Sequence, residues 1–213
     1  MMHRAFADPD LALALLPHAF DRRDGAHDEA HLLRVWRNAE RIMAAEGGDA
    51  AIVQAATLLH DCIHVDKASP ARAMASRLAA GKAREVLSAL RWEASRIGQV
   101  CHAIEAHSHS AAIEPATLEA RILQDADRLD AMGFIGMARC FYLAGMRQAS
   151  ICHATDPAAA RRPLDDAAYA LDHFRTKLLG LGDSMRTATG RRMAAERAAR
   201  LRDCYHGLLA EAG

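Results

Sequence analysis

Strand-like alternation of apolar and polar residues is scarce along this chain, while alanine, leucine and arginine, all strong helix formers, dominate it. That leaves little from which to build a sheet and points to an all-α fold. The punctuation suits helices. A helix over residues 27–46 is stopped by Gly47 and Gly48, and Asp49 caps the next, which runs from Ala50 to about His60. Ser69 and Pro70 read as an N-cap and first-turn pair for a helix ending at Gly81. Further helices are expected over about 83–90, 92–107, 117–131, 134–147, 164–179 and 187–211. The expectation is a single-domain bundle of seven to nine helices over 1–213, with a core at about 20–150 and C-terminal helices at about 164–211 packed on it. Loop 149–163 is the one long connection and reads as a lid or as slack.

Composition narrows the partners. Acidic and basic residues balance at 27 each, so there is no global basic field and neither a nucleic-acid polymer nor a membrane is expected as partner. No uncharged apolar run approaches the roughly 18 residues of a membrane span. The N-terminal apolar patch follows Asp8, Pro9 and Asp10, which makes a poor signal peptide, so a cytoplasmic protein is expected. The five cysteines, at 62, 101, 140, 152 and 204, are odd in number and form no C-x-x-C pair. They read as buried free thiols rather than as a disulfide framework or a thiolate zinc site.

The chemistry concentrates in three places. In "LLHDCIHVDK", residues 58–67, an apolar run ends in His60 and Asp61. In "HDEAHLLRVWRNA", residues 27–39, His27 and His31 are four apart and so share a helix face. In "ILQDADRLDAMG", residues 122–133, Asp125, Asp127 and Asp130 crowd one apolar helix and repel one another unless a cation or arginines neutralise them. Histidine and carboxylate together suit a first-row divalent ion. Taken singly, each piece is weak: a lone helical histidine is usually core or surface, and an acidic run is usually a solvated face.

The order of these pieces resembles the HD-domain metal-dependent phosphohydrolase superfamily. The likeness is closest to small bacterial stand-alone HD hydrolases of the nucleotide pyrophosphohydrolase type. It covers roughly residues 20 to 205 and is carried by "HDEAHLLRVWRNAERI", "LLHDCIHVDKASPAR", "CHAIEAHSHS", "ILQDADRLDAMGFIGMAR" and "RPLDDAAYALDHFRTKLL". The resemblance implies a helical bundle and one divalent ion, Mn²⁺, Mg²⁺, Co²⁺ or Fe²⁺, held by His31, His60, Asp61 and Asp127. It implies attack of metal-bound water on phosphorus, with Asp61 and His107 taking part. His27 then falls outside the ligand set, lining the site or supporting a ligand.

Phosphates need positive partners. Lys67 and Arg72 flank the start of the Ser69–Pro70 helix, whose N-terminus itself favours anions, and Arg128 follows Asp127 directly. His64 lies one turn past His60. His173 and Lys177 share a face and either close over the site or pack in a homodimer. His102 and His109, seven apart, would share a face, with His109 read as solvated. The leading reading is hydrolysis of nucleoside or deoxynucleoside triphosphates or related nucleotides. The alternatives are a phosphatase or phosphodiesterase acting on a nucleoside monophosphate or signalling nucleotide, and a non-catalytic nucleotide-sensing module.

Overall fold

The computed structural model describes residues 1–213 apart from 22–24, 26, 66–73, 109 and 110. Among the described residues it is all-α, without a β-strand; a parallel bridge joins Ser150 and Tyr169. The described residues form nine α-helices: α1 (Pro9–Leu15), α2 (Glu29–Glu46), α3 (Ala50–Leu59), α4 (Ala75–Ala89), α5 (Ala94–His107), α6 (Leu118–Asp130), α7 (Gly133–Met146), α8 (Ala170–Thr176) and α9 (Ala188–Ala212). Among the described residues no helix is long and apolar enough to cross a membrane. The chain forms two compact units, Met1–Asp127 and Arg128–Gly213.

The N-terminal unit is built around α3. Asp49 caps it through its carboxylate, which accepts from the Ala51 and Ile52 amides, and every residue from Ile52 to Leu59 is buried. Burying a side chain such as Ile52, Val53, Leu58 or Leu59 contributes roughly 1.5–3 kcal/mol each. This interior helix runs straight into His60. Against it lies α2, whose buried Leu32, Val35, Trp36, Ala39 and Ile42 recur at the helical period and form one face. Gly47 and Gly48 end α2 at φ +81° and +112°, and a Cβ on Gly48 would lie 3.0 Å from Ile122 Cδ1. The unpredicted α1 packs on α3, where Gln54 both donates to the Asp8 carbonyl and accepts the Asp8 amide.

Two helix expectations change here. The helix drawn to Gly81 and the one drawn over 83–90 are a single α4 that passes through Gly81. The cost of an interior glycine, about 1 kcal/mol, is offset by the buried Ala79, Ala80 and Ala83 around it. The expected start of that helix at Ser69 and Pro70 lies outside the described residues.

In the C-terminal unit, α7 packs on α9. A Cβ on Gly136 would stand 2.1 Å from the Ala131 carbonyl oxygen, so only glycine fits there. The helix expected over 164–179 is shortened to α8, followed by 3-10 turns over Leu178–Ser184. Asp165 explains the late start, because its carboxylate accepts from the Ala167 and Ala168 amides and holds a local turn in competition with helix. Loop 149–163 is a pinned strap rather than slack. Ser150 pairs with the backbone of Ala168 and Ala170, Arg162 forks onto Asp172, and Arg175 donates to the Ala158 carbonyl.

Candidate metal centre

Four helix ends in the N-terminal unit bring His31, His60, Asp61, His107 and Asp127 together. Asp28 caps α2 by accepting the His31 amide at 2.9 Å, which fixes His31 in the first turn. His27 precedes this cap, so it is not on the helix as expected; its ring still lies edge-on to His31, centroids 5.8 Å apart. His60 is the residue that closes α3 and Asp61 stands in the turn beyond it, so the pair sits at the rim of a buried helix rather than within it. His107 ends α5, and Asp127 lies in the last turn of α6.

The distances are those of atoms sharing one centre. His60 Nε2 lies 3.3 Å from His31 Nε2, 3.5 Å from Asp61 Oδ2 and 3.8 Å from Asp127 Oδ1. His31 Nε2 lies 3.7 Å from Asp127 Oδ1, and His107 Nε2 lies 3.7 Å from Asp61 Oδ1. His31, His60 and Asp127 form one group with ligand atoms within 4.8 Å, and His60, Asp61 and His107 form another.

Hydrogen bonds set the tautomers. His60 Nδ1 lies 2.8 Å from the Thr57 carbonyl, and His107 Nδ1 lies 2.6 Å from the Ile104 carbonyl. A carbonyl only accepts, so Nδ1 carries the proton in each ring and Nε2 turns inward; in the neutral ring that nitrogen presents a lone pair. Burial, together with the neighbouring imidazoles, lowers the His60 pKa against the pull of Asp61 and Asp127. Burial would raise the Asp61 pKa, but His60 and His107 outweigh it and hold the carboxyl well below its usual range. Asp127 is lowered in the same way by His60 and His31. At His107 burial pushes down, but the Asp61 carboxylate prevails and the pKa is raised. Ionised carboxylates beside a neutral His60 are the protonation states that bind a cation.

This donor set fits a divalent ion. The histidines are buried, whereas the Asp61 and Asp127 side chains are 38% and 26% exposed, so the centre opens on its carboxylate side. The neighbouring acids are accounted for otherwise: Asp130 pairs with Arg139 at 3.0 Å, and Asp125 is fully buried.

The remaining sequence candidates divide. His64 is exposed, and Lys67, Arg72 and His109 lie outside the described residues. Arg128 and Lys177 belong to the C-terminal unit. Arg128, expected to meet phosphate, is buried and donates to the Ser184 carbonyl at 2.8 Å. His173 is held by Asp166 at 2.9 Å. His102 accepts the Ala116 amide. Cys62 is buried, as expected, with Sγ 3.7 Å from the Ala79 carbonyl, and burial pushes its thiol up to about 12. Sequence reasoning passed over Asn38 and Gln124, two amides on otherwise buried faces of α2 and α6. A polar side chain on an apolar stripe was the available signal.

Comparison with known proteins gives a consistent result. The HD domain family matches residues 29–132. An uncharacterized Bacillus subtilis protein, YpgQ, is 34% identical over 175 residues, covering 80% of this chain and 77% of that protein. The crystal structure of YpgQ in complex with ADP superposes with a TM-score of 0.72 at 29% identity, covering 99% of this chain and 97% of that one. An HD-superfamily hydrolase from Bacillus thuringiensis superposes with a TM-score of 0.70 at 27% identity, covering 95% and 96%.

Proposed function

Because this chain belongs to the HD-domain superfamily of metal-dependent phosphohydrolases, we propose that it hydrolyses nucleotides, nucleoside or deoxynucleoside triphosphates foremost, by attack of water on phosphorus. The observation that carries the nucleotide is the ADP bound to the similar YpgQ structure. His31, His60, Asp61 and Asp127 hold a single divalent ion, and the mixed imidazole and carboxylate set favours Mn²⁺, Mg²⁺, Co²⁺ or Fe²⁺ over a structural zinc. When bound, such an ion makes water acidic enough to lose a proton near neutral pH and polarises a phosphoryl oxygen.

The protein's own groups do the rest. Asp61 and Asp127 stand at the open side, so the phosphate chain enters past them. His107, with Nδ1 tied to Ile104 and Nε2 facing Asp61, is placed to hold or pass a proton at that atom. His27 lines the His31 side. Lys67 and Arg72 are the expected phosphate partners.

The test is turnover of nucleoside mono-, di- and triphosphates by Mn²⁺-loaded protein, with phosphate and pyrophosphate detected separately. Triphosphate cleavage is expected. Turnover of monophosphates alone would replace this reading with that of a nucleotide phosphatase. Restoration of the stripped protein by Zn²⁺ alone would overturn the metal assignment.

A further inference from the structure

Two buried amides tie together the helices that carry the centre. Asn38, 4% exposed, lies seven residues after His31 on the same face of α2 and donates Nδ2 to the Ala126 carbonyl at 3.0 Å. Gln124, 2% exposed, lies three residues before Asp127 on α6 and donates Nε2 to the Ala106 carbonyl at 2.6 Å. Each bond lands on the backbone of the residue directly before a site residue, Asp127 in one case and His107 in the other.

The end of α5 shows what the second bond does. The helix stops at His107, so the carbonyls of its last turn lack an intrahelical N–H. The His107 ring takes one of them, at Ile104, and Gln124 takes another, at Ala106. Without Gln124 this terminus needs another donor or it frays, and His107 is the residue that then moves. The Gln124 amide is oriented by the same bond: turned over, it would set Oε1 against the Ala106 carbonyl. Its Oε1 meets no protein donor among the described residues, so the fold uses the NH₂. The Asn38 bond adds to a helix that is already continuous to Asp130, which makes it a constraint between α2 and α6 rather than a cap.

We propose that Gln124 is a positioning residue for the metal centre, with Asn38 as its counterpart. The two amides set α2, α6 and α5 in the register that brings His31, Asp127 and His107 together. The proposal rests on the ligand assignment above.

The experiment compares Mn²⁺ binding by calorimetry in the full-length wild type, Gln124→Met, Gln124→Asn, Asn38→Leu and Asp127→Ala, well below each melting transition. The imidazole ¹⁵N signals of His107 are recorded in metal-free samples of the same proteins. Methionine keeps the length of Gln124 without the donor; asparagine keeps the donor on a shorter arm and serves if the methionine variant does not fold. Folded Gln124 variants should bind Mn²⁺ about 10–100-fold more weakly and lose the single Nδ1–H signature of His107, with Asn38→Leu shifting affinity in the same direction. A merely structural amide lowers the melting temperature and moves neither readout. Wild-type affinity and an unchanged His107 signature in a folded Gln124 variant overturn the proposal. Equal binding by Asp127→Ala removes the ligand assignment instead, and the positioning role with it.

Discussion

Two groups of acids in this protein are treated in opposite ways. In the C-terminal unit, Asp172 is buried and receives both forks of the Arg162 guanidinium, at 2.5 and 2.8 Å, together with the Asp165 amide at 2.7 Å. Asp166 pairs with His173, and Asp130 with Arg139. In the N-terminal unit, Asp61 and Asp127 are ionised but face imidazoles, of which His60 is held neutral by its burial. Acids of the first kind have their cation built in and serve the fold. Acids of the second kind leave negative charge that an ion from solution completes. The position of the counter-charge separates structure from chemistry here, more than burial does.

The largest effect should come from breaking the unfinished cluster. Asp127→Ala is expected to cut Mn²⁺ affinity and hydrolysis by more than about 100-fold, because a direct ligand outweighs the outer-shell losses of 10–100-fold. Its metal-free melting temperature should fall only modestly, because the pull of His60 and His31 that lowers the Asp127 pKa is opposed by burial and by Asp61. Calorimetry and thermal melts on one preparation check both halves, and retention of full metal occupancy would break the comparison.

Asp172→Ala should do the reverse. Removing one partner of a buried ion pair strands the other, so the melting temperature should fall by roughly 5–15 °C while the Mn²⁺ affinity of the folded protein changes little. Differential scanning calorimetry against metal titration separates the two.

The acid dependence sharpens the same contrast. Burial opposes ionisation of Asp172, but Arg162 and the Asp165 amide lower its pKa below the ordinary aspartate range. A lowered folded value stabilises above the unfolded pKa, and that contribution is lost as pH falls through the folded value. The stability gap between wild type and Asp172→Ala should therefore be level from neutral pH to about 5 and close in stronger acid. Denaturant melts across that range test it, and a gap that widens in acid would contradict the pairing.

The smallest effect is expected at Cys62. With its thiol pushed up to about 12 and buried beneath α4, Cys62→Ala should leave turnover within about threefold of wild type. A large loss in a folded Cys62→Ala protein, with a covalent enzyme adduct seen by mass spectrometry, would place a nucleophile where only packing is described.

Much of this was legible in the residues. Gly47, Gly48 and Asp49 mark a helix end and a helix start because each acts through its own backbone or its nearest neighbours. His31, His60 and Asp127 were legible as chemistry because ligands must be of certain types, and the structure brings them within reach of one another. The rest depended on contacts far apart in sequence. Nothing near Gly81 announces that buried alanines carry α4 through it. Nothing near Arg128 announces that the Ser184 carbonyl takes its guanidinium. Asn38 and Gln124 look like ordinary polar residues until the carbonyls they reach are known.

The bonds from the His60 and His107 rings to carbonyls three residues back in their own helices have one more consequence. Each ring is oriented by a bond within its own helix, secured at His107 by Gln124, so the inward-facing nitrogens are set once α3, α5 and α6 have packed. Loading the ion then requires little reorganisation of the chain. Folding and metal uptake become separate events, unlike the zinc modules that stay unfolded until metal arrives. A cell short of the right ion would therefore hold a stock of folded, dormant enzyme, and activity would follow metal supply rather than synthesis.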